Sequence, residues 1–245
     1  MKESLLYPVN NLARTAMKLD GLWHFTFDPK RIGEAEGWQN GLPSYVSMPV
    51  PGSFQDLFTD KESRDYCGDF WYETEFFVPK QSGGNTLELR FGSVTHRAVV
   101  YVNGKRCGSH EGGFLPFVID ITEAVEKGAV NHLAVKANNE LSESTLPCGT
   151  VKELQNGRRI ATPYFDFFNY AGIHRSVFFV TKPKECIIDF DTNYVLKGKN
   201  AEVQYKVITN QDSSTVKVTL LDAQGNQVQQ AEGKENTLSV EQAHL

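Results

Sequence analysis

The chain has 245 residues, 40% hydrophobic and 22% charged, with a formal net charge of −5. This composition excludes the disordered and membrane-embedded classes, and the negative balance provides no electrostatic footprint for nucleic acid or an anionic membrane. The length allows two medium domains, each burying its own core.

Residues Met1 to Pro8 contain no apolar run of signal-peptide length, and no later run is long enough to cross a bilayer. A cytoplasmic location is the expectation. Cys67, Cys107, Cys148 and Cys186 are widely spaced, without C-x-x-C pairs or histidines at metal-ligand spacing. Reduced thiols and no metal are expected, with two disulfides as the alternative.

From Leu19 to Asp28, Trp23, Phe25 and Phe27 alternate with Leu22, His24 and Thr26, the period of a half-buried strand. The segment Met48 to Phe54 carries two prolines and a glycine and reads as an extended crossing or turn. Strands are predicted over Phe70 to Val78, Thr86 to Phe91 and Ala98 to Val102, the last running into Asn103-Gly104, a type I′ hairpin signal. Phe117, Ile119 and Ile121 alternate again, and Thr122 to Glu126 reads as one helical turn with Thr122 as N-cap. Leu133, Val135 and Ala137 resume a strand, whereas Ser142 to Pro163 lacks periodicity and reads as a functional or mobile loop. Short strands without long amphipathic helices between them predict an antiparallel sandwich of the jelly-roll sort.

Tyr164 to Arg175 is the chemically distinctive stretch. Five aromatic residues surround Asp166, the chain turns at Ala171-Gly172, and His174 and Arg175 lead into an apolar strand, Val177 to Val180. Aromatic faces cover the C–H side of a pyranose, and a carboxylate accepts hydrogen bonds from two adjacent hydroxyls. The same residues would also suit an aromatic core cluster whose Asp and His satisfy loop backbone.

After Thr181-Lys182-Pro183-Lys184 a second series begins: Cys186 to Phe190, then Val203, Tyr205 and Val207, then Val216, Val218 and Leu220. This opens like an immunoglobulin-like sandwich, but about sixty residues fall short of the roughly one hundred such a domain needs. The expected fold is all-β: a jelly-roll sandwich over residues 1–181, then an incomplete immunoglobulin-like sandwich over 182–245.

Several segments, in this order, carry a resemblance: Lys18 to Trp23, Val50 to Phe54, Trp71-Tyr72, Leu89 to Phe91, Val94 to His96, Val102-Asn103, Gly112 to Phe114, Asn138 to Leu141 and Asp166 to Arg175. Together they resemble the N-terminal part of family 2 glycoside hydrolases, most closely the bacterial β-glucuronidases. The resemblance implies a sugar-binding jelly roll and an immunoglobulin-like domain. It also implies a catalytic (β/α)₈ barrel of about 250–300 residues, not contained in this sequence. Members hydrolyse with retention through two barrel glutamates about 5–5.5 Å apart, so no catalytic residue is expected here. Asp166 is implied as the substrate-binding residue, reaching out of the jelly roll into the barrel's sugar pocket. Asn169, Tyr170, His174 and Arg175 would form its supporting shell.

The resemblance further implies a β-D-glucuronide substrate, no cofactor, and a homodimer or homotetramer for the complete protein. The alternatives are a stand-alone carbohydrate-binding module, or the same portion of a β-galactosidase or β-mannosidase. Asn139-Glu140 and Asn103-Gly104-Lys105 superficially match the family's acid/base pair and carboxylate-reading Asn-x-Lys, but fall on a sandwich strand end and a hairpin tip.

Overall fold

A computed structural model of the chain describes residues 7–243. It forms two compact units, Pro8–Pro183 and a second built on the residues from Lys184. The first contains β1 (Thr15–Lys18), β2 (Gly21–Asp28), β3 (Val46–Val50), β4 (Asp69–Val78), β5 (Thr86–Phe91) and β6 (Arg97–Val102). It continues with β7 (Lys105–Glu111), β8 (Phe117–Asp120), β9 (Ala129–Asn138), β10 (Gly149–Glu153), β11 (Arg159–Pro163) and β12 (Val177–Lys182). Its one α-helix is a single turn, α1 (Lys61–Arg64), among the described residues.

Two antiparallel sheets dominate this unit, one ordered β3-β2-β4-β9-β6-β7 and the other β1-β12-β5-β8. Period-two alternation decides which side chains meet between them. Trp23 and Phe25 of β2 and Phe70, Tyr72 and Phe76 of β4 pack in one core with Leu87, Leu89 and Phe91 of β5 and Phe179 of β12. Leu22, on the other face of β2, is exposed. The chain crosses between sheets at Leu19-Asp20, where Asp20 accepts from Ser176 Oγ at 2.7 Å and from the Val177 amide at 3.1 Å.

The segment between β2 and β3 covers part of the opposite face of the larger sheet. There Trp38, Trp71, Tyr101 and Ala134 form a second apolar cluster. Asp28 fixes the start of that covering segment, accepting from the amides of Ile32 and Gly33 at 2.9 Å each and from Trp71 Nε1 at 3.3 Å. The prolines of the Met48 to Phe54 segment do not prevent pairing: Pro49 sits in the edge strand β3, opposite Leu22, where a missing N–H is tolerated.

Asn103 and Gly104 form the β6–β7 turn with φ of 51° and 76°, both positive as that turn requires. The Asn103 side chain is consumed by the scaffold, donating to Ala124 O and Asn131 Oδ1 and accepting from the His132 amide. Two expectations are corrected. Thr122 does not cap a helix: residues 122–124 form a turn, and its hydroxyl accepts from the Leu87 amide at 3.0 Å, tying the turn to β5 instead. Residues 142–163 are not structureless either, because Gly149–Glu153 pairs with Arg159–Pro163 as a hairpin.

The second unit contains β13 (Ile187–Lys197), β14 (Asn200–Thr209), β15 (Lys217–Leu221), β16 (Gln227–Glu232) and β17 (Glu235–Val240). They form one sheet ordered β13-β14-β17 and a separate β15-β16 pair. Tyr205, Val207, Val216 and Leu238 make its small buried core. The four cysteines are free thiols, and burial pushes Cys67 up to about 12. Among the described residues, no helix is long and apolar enough to cross a membrane.

Two positions three residues apart in β9 offer a direct test of the inward and outward faces. Leu133 is fully buried and Val130 is 59% exposed. Leu133→Ala should lower the unfolding free energy by about 2–5 kcal/mol, and Val130→Ala by less than about 0.5 kcal/mol. Urea titration of both variants checks this difference.

Candidate functional site

The chain leaves β11 with the Tyr164 amide donating to Cys148 O at 3.0 Å, and then turns sharply. The Phe167 amide donates to Phe165 O at 2.7 Å, an i to i+2 bond that places Asp166 at the tip of a three-residue turn. Asp166 is exposed and makes no side-chain hydrogen bond or ion pair among the described residues. The rings of Tyr164, Phe165, Phe167, Phe168 and Tyr170 are 47–66% exposed, so they are a surface cluster and not the core cluster that the composition also allowed. A carboxylate with free acceptor sites beside accessible aromatic faces has the chemistry to receive hydroxyl donors and cover apolar C–H groups.

The second half of the segment is held very differently. Ala171, Gly172 and Ile173 are fully buried, and their three carbonyls accept from the amides of Phe54, Thr95 and Gly52 at 3.2, 3.1 and 2.8 Å. Gly172 has a φ of 140°, and a Cβ there would stand 2.5 Å from Gly52 O and 3.0 Å from Tyr72 Oη. Only glycine fits this close approach.

Asn169 joins the exposed half to the buried half. Its Nδ2 donates to Asn139 O at 2.9 Å, its Oδ1 lies 2.7 Å from His96 Nε2, and its carbonyl accepts from Gln55 Nε2 at 3.2 Å. Gln55 Oε1 in turn accepts from the Ala171 amide at 2.9 Å and from Ser53 Oγ at 2.8 Å. His174 Nε2 lies 3.0 Å from Thr95 Oγ1, and Arg175 Nη1 donates to Phe114 O at 3.1 Å. Tyr170 is exposed and packs on Phe168 with ring centroids 4.7 Å apart. Gln55, Thr95 and His96 are the residues that sequence reasoning left out of this group. Thr95 and His96 stand among the resembling motifs and Gln55 directly follows one, but nothing in their local pattern points at residue 169.

Two clefts flank the segment. One, of about 500 Å³, is lined by Gly52, Asp56, Phe114, Phe168, Tyr170 and His174, among others. The other, of about 430 Å³, is lined by residues that include Phe167, Phe168 and Asn169. Phe168 borders both, and Asp166 lines neither. Asn139-Glu140 belongs to the scaffold: Asn139 binds the Gly68 amide and Tyr66 O, and Glu140 pairs with Arg31 and Arg159. Among the described residues, no group of three or more His, Cys, Asp or Glu is placed to hold a metal ion.

The two histidines under the loop are held neutral. Asn169 Nδ2 is committed to Asn139, so its Oδ1 faces the ring as an acceptor and His96 carries its proton on Nε2. His96 Nδ1 is then a buried lone pair without a partner. Burial lowers the pKa of His96, and burial, followed by repulsion from His96 in its protonated form and from Arg175, lowers that of His174 to about 4. An unfolded histidine binds its proton near pH 6.5, so acidification favours the unfolded chain first. Stability from these groups is complete above about pH 6.5 and is lost as pH falls towards the folded values. The urea midpoint should therefore drop between pH 7 and pH 5, above the carboxylate range, and His174→Gln should flatten that slope.

Comparison with known proteins agrees with this architecture. Residues 16–183 match the family described as glycosyl hydrolases family 2, sugar binding domain. The β-glucuronidase of Paenibacillus borealis is 38% identical over 247 residues, covering 98% of this chain and 41% of that protein. The human β-glucuronidase is 35% identical over 261 residues, covering 98% and 40% respectively. A crystal structure of Ruminococcus gnavus β-glucuronidase superimposes with a TM-score of 0.95 at 53% identity, covering 100% of this chain and 42% of that one. The same enzyme in complex with D-glucuronic acid also gives a TM-score of 0.95. This chain thus spans about 40% of the length of the relatives it matches. With more than half of its residues matched, the chain belongs to family 2 of the glycosyl hydrolases, and its first unit is that family's sugar-binding domain.

Proposed function

We propose that the chain is the N-terminal, non-catalytic portion of a retaining β-glucuronidase, and that Asp166 forms one wall of the pocket for the sugar. The observation that carries this reading is the exposed Asp166 carboxylate. It makes no bond of its own among the described residues, yet it stands on a loop whose base is fixed by hydrogen bonds. Such an arrangement presents acceptor oxygens to two adjacent sugar hydroxyls at little ordering cost.

In this reading hydrolysis belongs to a (β/α)₈ barrel, where two glutamates about 5–5.5 Å apart act as acid/base and nucleophile. The second unit supplies the opening strands of an immunoglobulin-like domain. The complete protein is taken as a homodimer or homotetramer, a reading that rests on the resemblance alone. Similarity to relatives named as β-glucuronidases supports the substrate class.

Two measurements test the proposal. The 245-residue chain alone should release no chromophore from 4-nitrophenyl β-D-glucuronide; turnover at ordinary enzymatic rates would overturn the assignment of the chemistry to a barrel. In the longer protein, Asp166→Ala should lower kcat/KM for this substrate roughly 10- to 100-fold, the worth of one or two charge-assisted hydrogen bonds. The melting temperature should stay unchanged, because the side chain is exposed. An unchanged kcat/KM would remove Asp166 from the pocket, and a preference for a galactoside or mannoside would move the protein to a sister activity.

A further inference from the structure

The cleft of about 430 Å³ beside the aromatic loop is bounded by α1, by the β10–β11 hairpin and by the Phe167 to Asn169 side of the loop. Its volume lies within the range of small-ligand sites, about 300–1,000 Å³. Three cations line it, Lys61, Arg64 and Arg158, against a single carboxylate, Asp65. Asp65 is shared, lying 3.1 Å from Lys61 Nζ and 4.0 Å from Arg158 Nη2. Arg64 is exposed and makes no ion pair among the described residues. The cleft therefore carries an excess of two positive charges in a chain whose net charge is −5.

Its other wall is aromatic. Phe167 and Phe168 border the cleft with much of their rings accessible, and Phe167 directly follows Asp166 in the chain. Guanidinium groups meet carboxylates through paired N–H donors, and a ring face covers the apolar side of a pyranose. A small inorganic anion would use the first feature and leave the second unused; a neutral sugar would do the reverse. An acidic sugar uses both.

We propose that this cleft is a second saccharide site, which takes a uronate residue of an extended acidic oligosaccharide further along the chain from the sugar held at Asp166, with a neutral sugar between the two. The inference deepens the glucuronidase reading and rests on it for the sugar at Asp166, but binding in the cleft requires no catalytic step. Arg64 and Arg158 recognise the carboxylate, and Phe167 and Phe168 carry the ring.

Isothermal titration of the 245-residue chain with a hyaluronan hexasaccharide tests it, with cellohexaose and inorganic phosphate as controls. The hexasaccharide should bind saturably and more weakly as salt is raised, and cellohexaose should bind at least about tenfold more weakly. The Arg64→Ala/Arg158→Ala double variant should lose about tenfold or more in affinity with an unchanged melting temperature. Phe168→Ala should also weaken binding. Absence of saturable binding, equal affinity for cellohexaose, displacement by phosphate at matching concentration, or an unaffected double variant each overturns the proposal. In the longer protein, absence of glucuronide hydrolysis with cleft binding intact would instead sink only the glucuronidase reading, and intact hydrolysis without binding would sink only the cleft.

Discussion

The presentation of Asp166 depends on three buried peptide groups, those of Ala171, Gly172 and Ile173. Backbone carbonyls taken out of water must find donors, and here each finds one: Phe54, Thr95 and Gly52. The absence of a side chain at Gly172 lets the strand-like segment approach Gly52 and the Tyr72 phenol. With that stretch fixed, the residues immediately before it have nowhere to go but outwards. The aromatic turn is thus a consequence of how the following three residues are packed.

The polar groups under the turn reinforce this arrangement through complementary donors and acceptors. Asn169 is bonded through both side-chain atoms and through its own carbonyl, to three different parts of the chain. Replacing any one partner would leave another buried polar atom without a mate, which is costlier than the bond itself is worth. His96 and His174 fit here because burial keeps them neutral, so they bind as ring donors or acceptors and not as cations. The exposed rings of the turn are not accounted for by packing within the first unit. Clustered exposed apolar groups mark surfaces that meet something else, and the proposed function assigns that partner to a sugar pocket completed by another part of a longer protein.

Family membership and activity stand on different footings. The matched residues 16–183 establish the sugar-binding domain, whereas the named relatives extend well beyond the portion this chain spans. A wall of a pocket is a binding element, and chemistry needs groups poised at the reacting bond.

The residues alone determined the strands of the sandwich, because alternation such as Trp23, Phe25 and Phe27 reports directly which side of a pleat is buried. They also determined the Asn103-Gly104 turn, where positive φ narrows the choice of residue. The all-β class follows from the same local signals, and the resemblance to the glycoside hydrolase family from short motifs standing in the family's order. The hairpin within residues 142–163 is not legible in the sequence because neither of its strands buries an apolar face, and the role of Thr122 is not legible because its partner, Leu87, lies on the neighbouring strand of the same sheet, 35 residues earlier in the chain. The fate of the aromatic stretch was likewise open: composition cannot say whether five rings point inwards or outwards. Tertiary contacts decided it, through hydrogen bonds from residues 52–55, 95–96 and 139 that bury one half of the segment and expel the other. Local sequence encodes periodicity and turn geometry, whereas pairing between residues tens of positions apart is settled only when the chain closes on itself.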